Sequence, residues 1–254
     1  MLLYPNAKIN LGMNVINRRS DGFNDIETLF VPYPLLSDLL EVVYASEPKI
    51  FLYGIEYDGA PEDNLCWKAY KLMQQEYGIE PVEIHLLKKI PVGAGLGGGS
   101  ADAAFTLKAI DYLFNLGLRD EVLASHAAKL GSDCPFFIYN RPMFASGRGE
   151  ILTDFDIDLS EYRIEVATPP VFVSTREAYS GIKPHRPAEP LSDVLRLPVS
   201  EWKGALVNDF EATVFAAHPS LADVKEDFYN RGAVYVSMSG SGSSVFGIFK
   251  TETL

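Results

Sequence analysis

Residues 91–104 read Pro91-Val92-Gly93-Ala94-Gly95-Leu96-Gly97-Gly98-Gly99-Ser100-Ala101-Asp102-Ala103-Ala104, and a helical pattern follows directly. Glycines this dense let backbone N–H groups converge where a Cβ would clash. The helix behind them starts with unpaired N–H groups and the positive end of its dipole. Together these features predict a phosphate-binding loop, with Ser100 placed to cap the helix or to offer a hydroxyl to a phosphate or its metal.

Two common nucleotide-binding motifs fit this loop poorly. Gly93-x-Gly95-x-x-Gly98 matches the dinucleotide fingerprint in form, but Pro91 interrupts the entry from the preceding strand. A helix also follows where that motif needs a second strand ending in an acid. The Walker motif requires Lys-Ser/Thr after its last glycine, and Gly98 is followed by Gly-Ser. The loop is therefore predicted to be a phosphate cradle of a third kind.

Length and composition favour a cytoplasmic enzyme with a sizeable core. The chain has 254 residues, and no apolar run approaches the roughly 20 residues of a membrane span. We expect no signal peptide, and the widely separated Cys66 and Cys134 suggest a reducing compartment. The net charge of −12 disfavours nucleic acid as a partner. We expect no membrane partner either, and the oligomeric state stays open between a monomer and a weak dimer.

The order of the predicted elements favours an α+β fold, because strands and helices do not alternate regularly. Strict alternation of apolar and polar residues predicts a strand over residues 8–16, with Lys8 and Asn10 on one face. Ser174 and Glu177 have the spacing of a capping box. On its immediate sequence alone, Asp133 is most simply a turn residue. Helical patterns lie at residues 62–77, from the loop to about 116, at 121–130 and around 199–206.

The glycine loop resembles the ATP-binding motif of the GHMP kinases, the superfamily of galactokinase, homoserine kinase and mevalonate kinase. Further blocks resemble one branch of it, the 4-diphosphocytidyl-2-C-methyl-D-erythritol kinases of the non-mevalonate isoprenoid pathway. The resemblance covers nearly the whole chain. The blocks lie at residues 5–11, 19–23, 130–137, 147–150, 208–211 and 238–242.

The resemblance implies a two-domain α+β fold with the active site between the domains. An ATP-binding domain of the ribosomal protein S5 domain 2-like type would occupy residues 1–153, and a ferredoxin-like domain would occupy residues 154–254. The implied reaction moves the γ-phosphoryl group of ATP to the 2-hydroxyl of a cytidine diphosphate-linked methylerythritol. Mg²⁺ would arrive with ATP, because some members carry a metal-binding carboxylate where this chain has Lys129.

The resemblance also implies roles for individual residues in catalysis and in ATP binding. Asp133 matches the aspartate that accepts the proton of the substrate hydroxyl, and Lys8 matches the lysine that keeps this aspartate ionised. Cys134 has no histidine close in sequence, which disfavours covalent catalysis. The expected ATP contacts are Pro91, Gly93, Ala94, Gly95, Leu96, Gly97, Gly98, Gly99 and Ser100, with Lys88 and Leu65 near the adenine.

Four residues are assigned to the alcohol substrate in the same way. Asn10 would hydrogen-bond it, while Phe23 and Tyr179 would sandwich the cytosine. Asn24 stands where the family usually has a histidine at the cytosine edge. Two alternatives stay open at this point: another GHMP-type kinase, homoserine- or mevalonate-like, and a catalytically inactive nucleotide-binding module.

Overall fold

The computed structural model describes residues 1–55 and 59–251, and these form mixed sheets and helices. The strands are β1 (Leu2–Leu3), β2 (Asn6–Arg18), β3 (Asn24–Ser37), β4 (Leu39–Tyr44), β5 (Lys49–Gly54), β6 (Val82–Lys88), β7 (Met143–Ser146), β8 (Ile151–Asp154), β9 (Tyr162–Ala167), β10 (Tyr235–Met238) and β11 (Val245–Lys250). The helices are α1 (Leu65–Tyr77), α2 (Gly98–Leu113), α3 (Asp120–Leu130), α4 (Cys134–Tyr139), α5 (Thr175–Ser180), α6 (Leu191–Val194), α7 (Phe210–Ala217) and α8 (Pro219–Asn230). Short 3₁₀ helices lie at Pro61–Asp63 and Val199–Glu201.

The chain forms two compact units whose segments interleave along the sequence. Unit one comprises Met1–Lys8, Pro32–Val92 and Gly97–Arg141, and unit two comprises Ile9–Val31, Gly93–Leu96 and Pro142–Leu254. The predicted domain boundary between residues 153 and 154 stays a prediction.

Unit one is built on a four-stranded sheet and on helices packed around α2. The sheet has the order β1-β4-β6-β5, in which β5 runs parallel to β6 and the other pairs are antiparallel. In β6 every second residue from Val82 to Lys88 is buried, which gives the strand one face in the core. Helix α2 contacts α1, α3 and α4. Its buried residues Ala101, Ala103 and Ala104 allow these close approaches, because small side chains keep the helix backbone near its neighbours.

Unit two contains an antiparallel sheet of order β10-β11-β9, with α8 packed on β10 and β11. Another sheet has the order β2-β3-β7-β8. One core cluster of this unit joins Met13 and Val15 of β2 to Phe210 and Val214 of α7 and to Met238. Strand β2 therefore contributes Met13 and Val15 to the core of unit two.

The predicted elements agree with the structure except at their ends. Ser174 caps α5, because its hydroxyl accepts a hydrogen bond from the N–H of Glu177. The helix predicted around residues 199–206 is wrong in extent, since only the 3₁₀ turn Val199–Glu201 forms there. Gly204 follows at a φ of +86°, a left-handed conformation that ends helical structure. None of the helices in the described ranges combines the length and the apolar character that a bilayer crossing requires.

Candidate active site

The glycine loop turns through three glycines in the left-handed region of backbone space. Gly93, Gly95 and Gly97 have φ values of +71°, +76° and +71°. Gly97 is the N-cap of α2, which begins at Gly98. The prediction that Ser100 caps this helix is therefore wrong, because Ser100 is the third residue inside its first turn. The physical reason is that Gly97, Gly98 and Gly99 carry the chain into the helix three residues earlier than a cap at Ser100 would.

Lys8 and Asp133 form an ion pair in unit one. The ammonium Nζ of Lys8 lies 3.5 Å from Oδ2 of Asp133, and their side chains are 4% and 34% exposed. Burial lowers the pKa of the Lys8 ammonium, while the charge of Asp133 opposes this shift. Asp133 is the residue directly before α4, which opens with Cys134 and Pro135. The carboxylate can therefore meet a substrate hydroxyl while a buried cation supports its charge.

The same ion pair lies against the start of α2. A Cβ built on Gly97 would come within 3.1 Å of Cγ of Lys8 and 2.9 Å of Cζ of Phe137. The hydroxyl of Ser100 hydrogen-bonds to the thiol of Cys134, the neighbour of Asp133. Unit one thus brings together the predicted base, its lysine and the N-terminal turn predicted to hold phosphate.

Cys134 is fully buried at this point and does not resemble an activated nucleophile. Burial raises the pKa of its thiol to about 12. A thiol with that pKa stays protonated at neutral pH and is a poor nucleophile. The structure thus adds a physical reason to the sequence argument against covalent catalysis.

Within unit two, residues 93–96 of the glycine loop pack on a second loop of small residues that joins β10 to β11. The hydroxyl of Ser239 donates to the carbonyl of Gly95 at 2.9 Å, and the N–H of Ser244 donates to the carbonyl of Ala94 at 3.1 Å. Asn208 supports this second loop, since its amide donates to the carbonyls of Met238 and Gly240. Sequence reasoning assigned Asn208 no role, and its only signal was the block of residues 208–211.

Asn10 lies on β2 in the same unit and is 1% exposed. Its amide donates to the hydroxyl of Thr28 at 2.9 Å, and its backbone N–H donates to the hydroxyl of Ser239 at 3.3 Å. The Thr28 hydroxyl donates in turn to the carbonyl of Gly12. These bonds tie Asn10 to the loop that supports Gly95, and its predicted contact with substrate stays a prediction.

The residues predicted to bind the cytosine differ in their solvent exposure. Phe23 is 54% exposed, and its backbone N–H donates a hydrogen bond to the carboxylate of Asp21. The guanidinium of Arg148 lies over its ring, 4.9 Å from the centroid. Tyr179 is partly buried in the α5–α7 cluster and meets the ring of Phe210 edge-on at 4.7 Å. Asn24 opens β3 and is partly exposed. An exposed aromatic ring beside a cation can accept a flat base, and these roles stay predictions.

The two residues predicted near adenine occupy different environments in unit one. Leu65 opens α1, and a Cβ built on Gly99 would lie 3.8 Å from its Cδ1. Lys88 is 7% exposed and its ammonium contacts the carboxylates of Asp38 and Asp102. The ammonium of Lys88 thus forms ion pairs with these two acids. The prediction that Lys88 lies near the adenine stays a prediction.

The comparisons with known proteins show the family to which the chain belongs. The model of the GHMP kinases N terminal domain matches residues 64–141, and that of GHMP kinases C terminal matches residues 198–254. A 4-diphosphocytidyl-2-C-methyl-D-erythritol kinase of Bacteroides fragilis is 51% identical over 99% of this chain and 93% of its own length. The chain belongs to this branch of the GHMP kinases. It is therefore an ATP-dependent phosphotransferase, and the predicted two-domain α+β GHMP fold is confirmed.

One solved structure supports the same branch for this GHMP kinase, and a second shows the fold. A crystal structure of 4-(cytidine 5'-diphospho)-2C-methyl-D-erythritol kinase has a TM-score of 0.81 and 34% identity, and covers 98% of this chain and 90% of that one. A homoserine kinase from Cytophaga hutchinsonii has a TM-score of 0.71 at 21% identity, covering 97% of this chain and 85% of that one. At that identity the second likeness shows the fold alone.

Proposed function

We propose that this kinase transfers the γ-phosphoryl group of ATP to the 2-hydroxyl of 4-(cytidine 5'-diphospho)-2-C-methyl-D-erythritol, in the non-mevalonate route to isoprenoid precursors. The observation that carries the proposal is the Lys8–Asp133 pair packed against the first turn of α2. The relative from Bacteroides fragilis and the crystal structure at 34% identity support the choice of alcohol. We place the enzyme in the cytoplasm, because Cys66 and Cys134 are unpaired, buried thiols.

In this mechanism the protein positions the reactants and compensates charge, as phosphoryl transfer requires. Backbone N–H groups of residues 93–100 hold the phosphates of ATP, and the dipole of α2 favours their negative charge. Asp133 accepts the proton of the 2-hydroxyl as its oxygen bonds to phosphorus. Lys8 pairs with the carboxylate of Asp133 and offsets the charge near the attacking oxygen.

The donor set of the protein fits Mg²⁺ that arrives bound to ATP. Within residues 1–55 and 59–251 there is no group of three His, Cys, Asp or Glu side chains that could hold a metal. Lys129, which stands where some relatives have an acid, pairs with Glu76 at 2.8 Å. Mg²⁺ characteristically keeps phosphate and water ligands, so a dedicated protein cage is unnecessary. When bound, the ion neutralises phosphate charge during transfer.

Recognition of the alcohol depends on its cytidine in this proposal. Phe23 and Tyr179 stack on the base, and Asn24 meets the cytosine edge because an amide can both donate and accept hydrogen bonds. We expect the cytidine substrate to be preferred over its uridine analogue. Competition between the two in one assay measures this preference, and equal kcat/KM values would show that Asn24 does not read the edge.

A coupled ADP-release assay with the cytidine substrate, homoserine and mevalonate tests the proposed reaction. We expect turnover of the cytidine substrate only. Turnover of homoserine or mevalonate without the cytidine compound would favour another GHMP-type kinase. Absence of turnover with every alcohol, although ATP binds, would indicate an inactive nucleotide-binding module.

A further inference from the structure

A buried ion cluster in unit one lies at the base of the phosphate loop. Lys88, at the end of β6, places its ammonium between Asp38 and Asp102, with 2.7 Å to Oδ2 of Asp102. The exposed fractions are 7% for Lys88, 0% for Asp38 and 2% for Asp102. Charges so deeply buried are costly to desolvate, and they persist where geometry and hydrogen bonds compensate for this cost. Nothing in the proposed chemistry uses these three side chains.

The cluster contacts both ends of the loop. Oδ1 of Asp38 accepts hydrogen bonds from the backbone N–H of Lys89 at 2.5 Å and of Ile90 at 2.9 Å, directly before the loop. Asp102 lies in α2, one turn after Gly98, directly behind the loop. The cluster therefore joins the residues that enter the loop to the helix that leaves it.

The two ends also touch through Gly98. A Cβ built on Gly98 would lie 2.8 Å from Cγ2 of Ile90 and 3.2 Å from Nζ of Lys88. The separation from Ile90 is shorter than real Cβ atoms show and that from Lys88 is tighter than most, so a larger residue here would displace Ile90 or move α2 away from the end of β6. The loop is thus closed at its base by a packed contact and by the ion cluster.

We propose that Lys88, Asp38 and Asp102 act as positioning residues that fix the first turn of α2 relative to the end of β6 and so preorganise the phosphate loop for ATP. The inference rests on the proposed ATP site, and it gives the side chain of Lys88 a role other than contact with adenine. Preorganisation strengthens binding because the ligand then does not have to order the loop itself. Loss of the link is expected to weaken ATP binding and to leave binding of the alcohol unchanged.

Asp102→Ala and Asp102→Asn separate a positioning role from general stability. Alanine removes the link while keeping a strong helix former, and it leaves Lys88 paired with Asp38. Asparagine keeps an oxygen that can accept from Lys88. We expect the Kd for Mg·ATP, measured by calorimetry without the alcohol, to rise at least about tenfold in Asp102→Ala and to stay within about threefold in Asp102→Asn. The KM of the alcohol should stay unchanged in both.

Two further variants complete the experiment. Lys88→Met removes the bridging cation and should raise the Kd for Mg·ATP as Asp102→Ala does. Lys108→Met is the matched control, because Lys108 is a partly buried lysine of the same helix whose ammonium donates to the carbonyl of Phe137. It should lower stability without changing the Kd.

Several results would overturn the inference. One is wild-type affinity in folded Asp102→Ala. Equal losses in Asp102→Ala and Asp102→Asn would also overturn it, because charge and not the link would then matter. If Asp102→Ala and Lys88→Met both fail to fold, the cluster serves overall stability and the positioning role is wrong. Calorimetry does not involve the alcohol, so failure of the proposed reaction would be visible separately in the turnover assay.

Discussion

At the scale of single residues, the central feature is a buried lysine beside a half-exposed aspartate. Lys8 and Asp133 are 125 positions apart in the chain, yet 3.5 Å separates Nζ from Oδ2. If Lys8 acts through its ion pair with Asp133, the two residues form a unit and the effects of their substitutions should not add. Asp133→Asn keeps the shape of the side chain and removes the base, so we expect kcat to fall by about 10²- to 10⁴-fold.

Lys8→Met should cost a comparable factor in kcat, and the double variant should be little worse than either single one. ATP affinity should change little, because backbone groups of residues 93–100 hold the phosphates. Steady-state kinetics of the three variants at saturating ATP provide the measurement. Near-wild-type kcat in Asp133→Asn would exclude this aspartate from the reaction, whereas full additivity would show that the two residues act independently.

The functional residues that the sequence reveals and those that it does not differ in how far apart along the chain their contacts lie. The loop glycines were visible because their function depends on local backbone geometry. The pairing of Lys8 with Asp133 came from resemblance, since spacing along the chain carries no information about contacts 125 positions apart. The link from Asp38 to Lys88 spans 50 positions, and no spacing pattern in the sequence pairs the two residues. Burial identified them, and burial is a property of the folded chain.

At the scale of elements, the glycine loop shows why particular glycines are required. A Cβ at Gly95 would collide with the carbonyl of Ser239, and the residue has a φ of +76°. Gly78, which ends α1 at a φ of +63°, has open space around the position of a Cβ. Alanine at either residue carries the cost of a left-handed conformation, about 1–2 kcal/mol. At Gly95 the clash with Ser239 adds a second cost, because the loop must also be displaced, whereas Gly78 has no such clash.

We therefore expect Gly95→Ala to raise the Kd for Mg·ATP by about tenfold or more, while Gly78→Ala leaves it unchanged. Overpacking adds about 1–3 kcal/mol at the first site, so the Tm of Gly95→Ala should also fall further. Calorimetric titration and thermal unfolding of the two variants check both expectations. Equal Kd values for the two proteins would mean that the contact with Ser239 does not shape the loop.

Element boundaries were the least predictable part of the fold. Strand β2 and the capping box of α5 form as the sequence predicted because local patterns determine them, although β2 is buried on both faces from Asn6 to Val15. The N-cap of α2 is Gly97 and not Ser100, because consecutive glycines replace a side-chain cap. Gly204 at a φ of +86° stopped a helix whose hydrophobic pattern continued. Backbone conformation thus overrode periodicity at both positions.

At the scale of the whole molecule, the buried cluster links stability to pH. Burial raises the pKa of Asp102 to about 8. The positive charge of Lys88 lowers this pKa and the negative charge of Asp38 raises it, but burial has the largest effect. Burial also raises the pKa of the nearby Cys66 thiol, which therefore stays neutral. The folded protein thus retains a proton on Asp102 to a higher pH than the unfolded chain does. The unfolded chain releases that proton near pH 4, the ordinary value for aspartate.

The sign of the pH dependence follows from this difference in bound protons. The native state binds one more proton than the unfolded state between about pH 4 and pH 8, so this group's contribution to stability falls as the pH rises through that window. The limiting slope is about 1.4 kcal/mol per pH unit. Asp102→Asn cannot ionise, so its free energy of unfolding should rise relative to that of wild type from pH 5 to pH 8, which makes the variant relatively more stable. Urea unfolding followed by circular dichroism at each pH measures the difference.

Asp158→Asn serves as the control for this measurement. Asp158 is exposed, and a hydrogen bond from the N–H of Ser160 lowers the pKa of its carboxyl. The contribution of Asp158 to stability is fully present above the pKa of aspartate in the unfolded chain and is lost only at lower pH. Substitution of Asp158 should therefore not change how the free energy of unfolding depends on pH between pH 5 and pH 8. A flat difference between Asp102→Asn and wild type across that window would mean that Asp102 is ionised in the folded protein. In that case the cluster would hold a buried net negative charge, and Lys88 would have to stabilise two carboxylates at once.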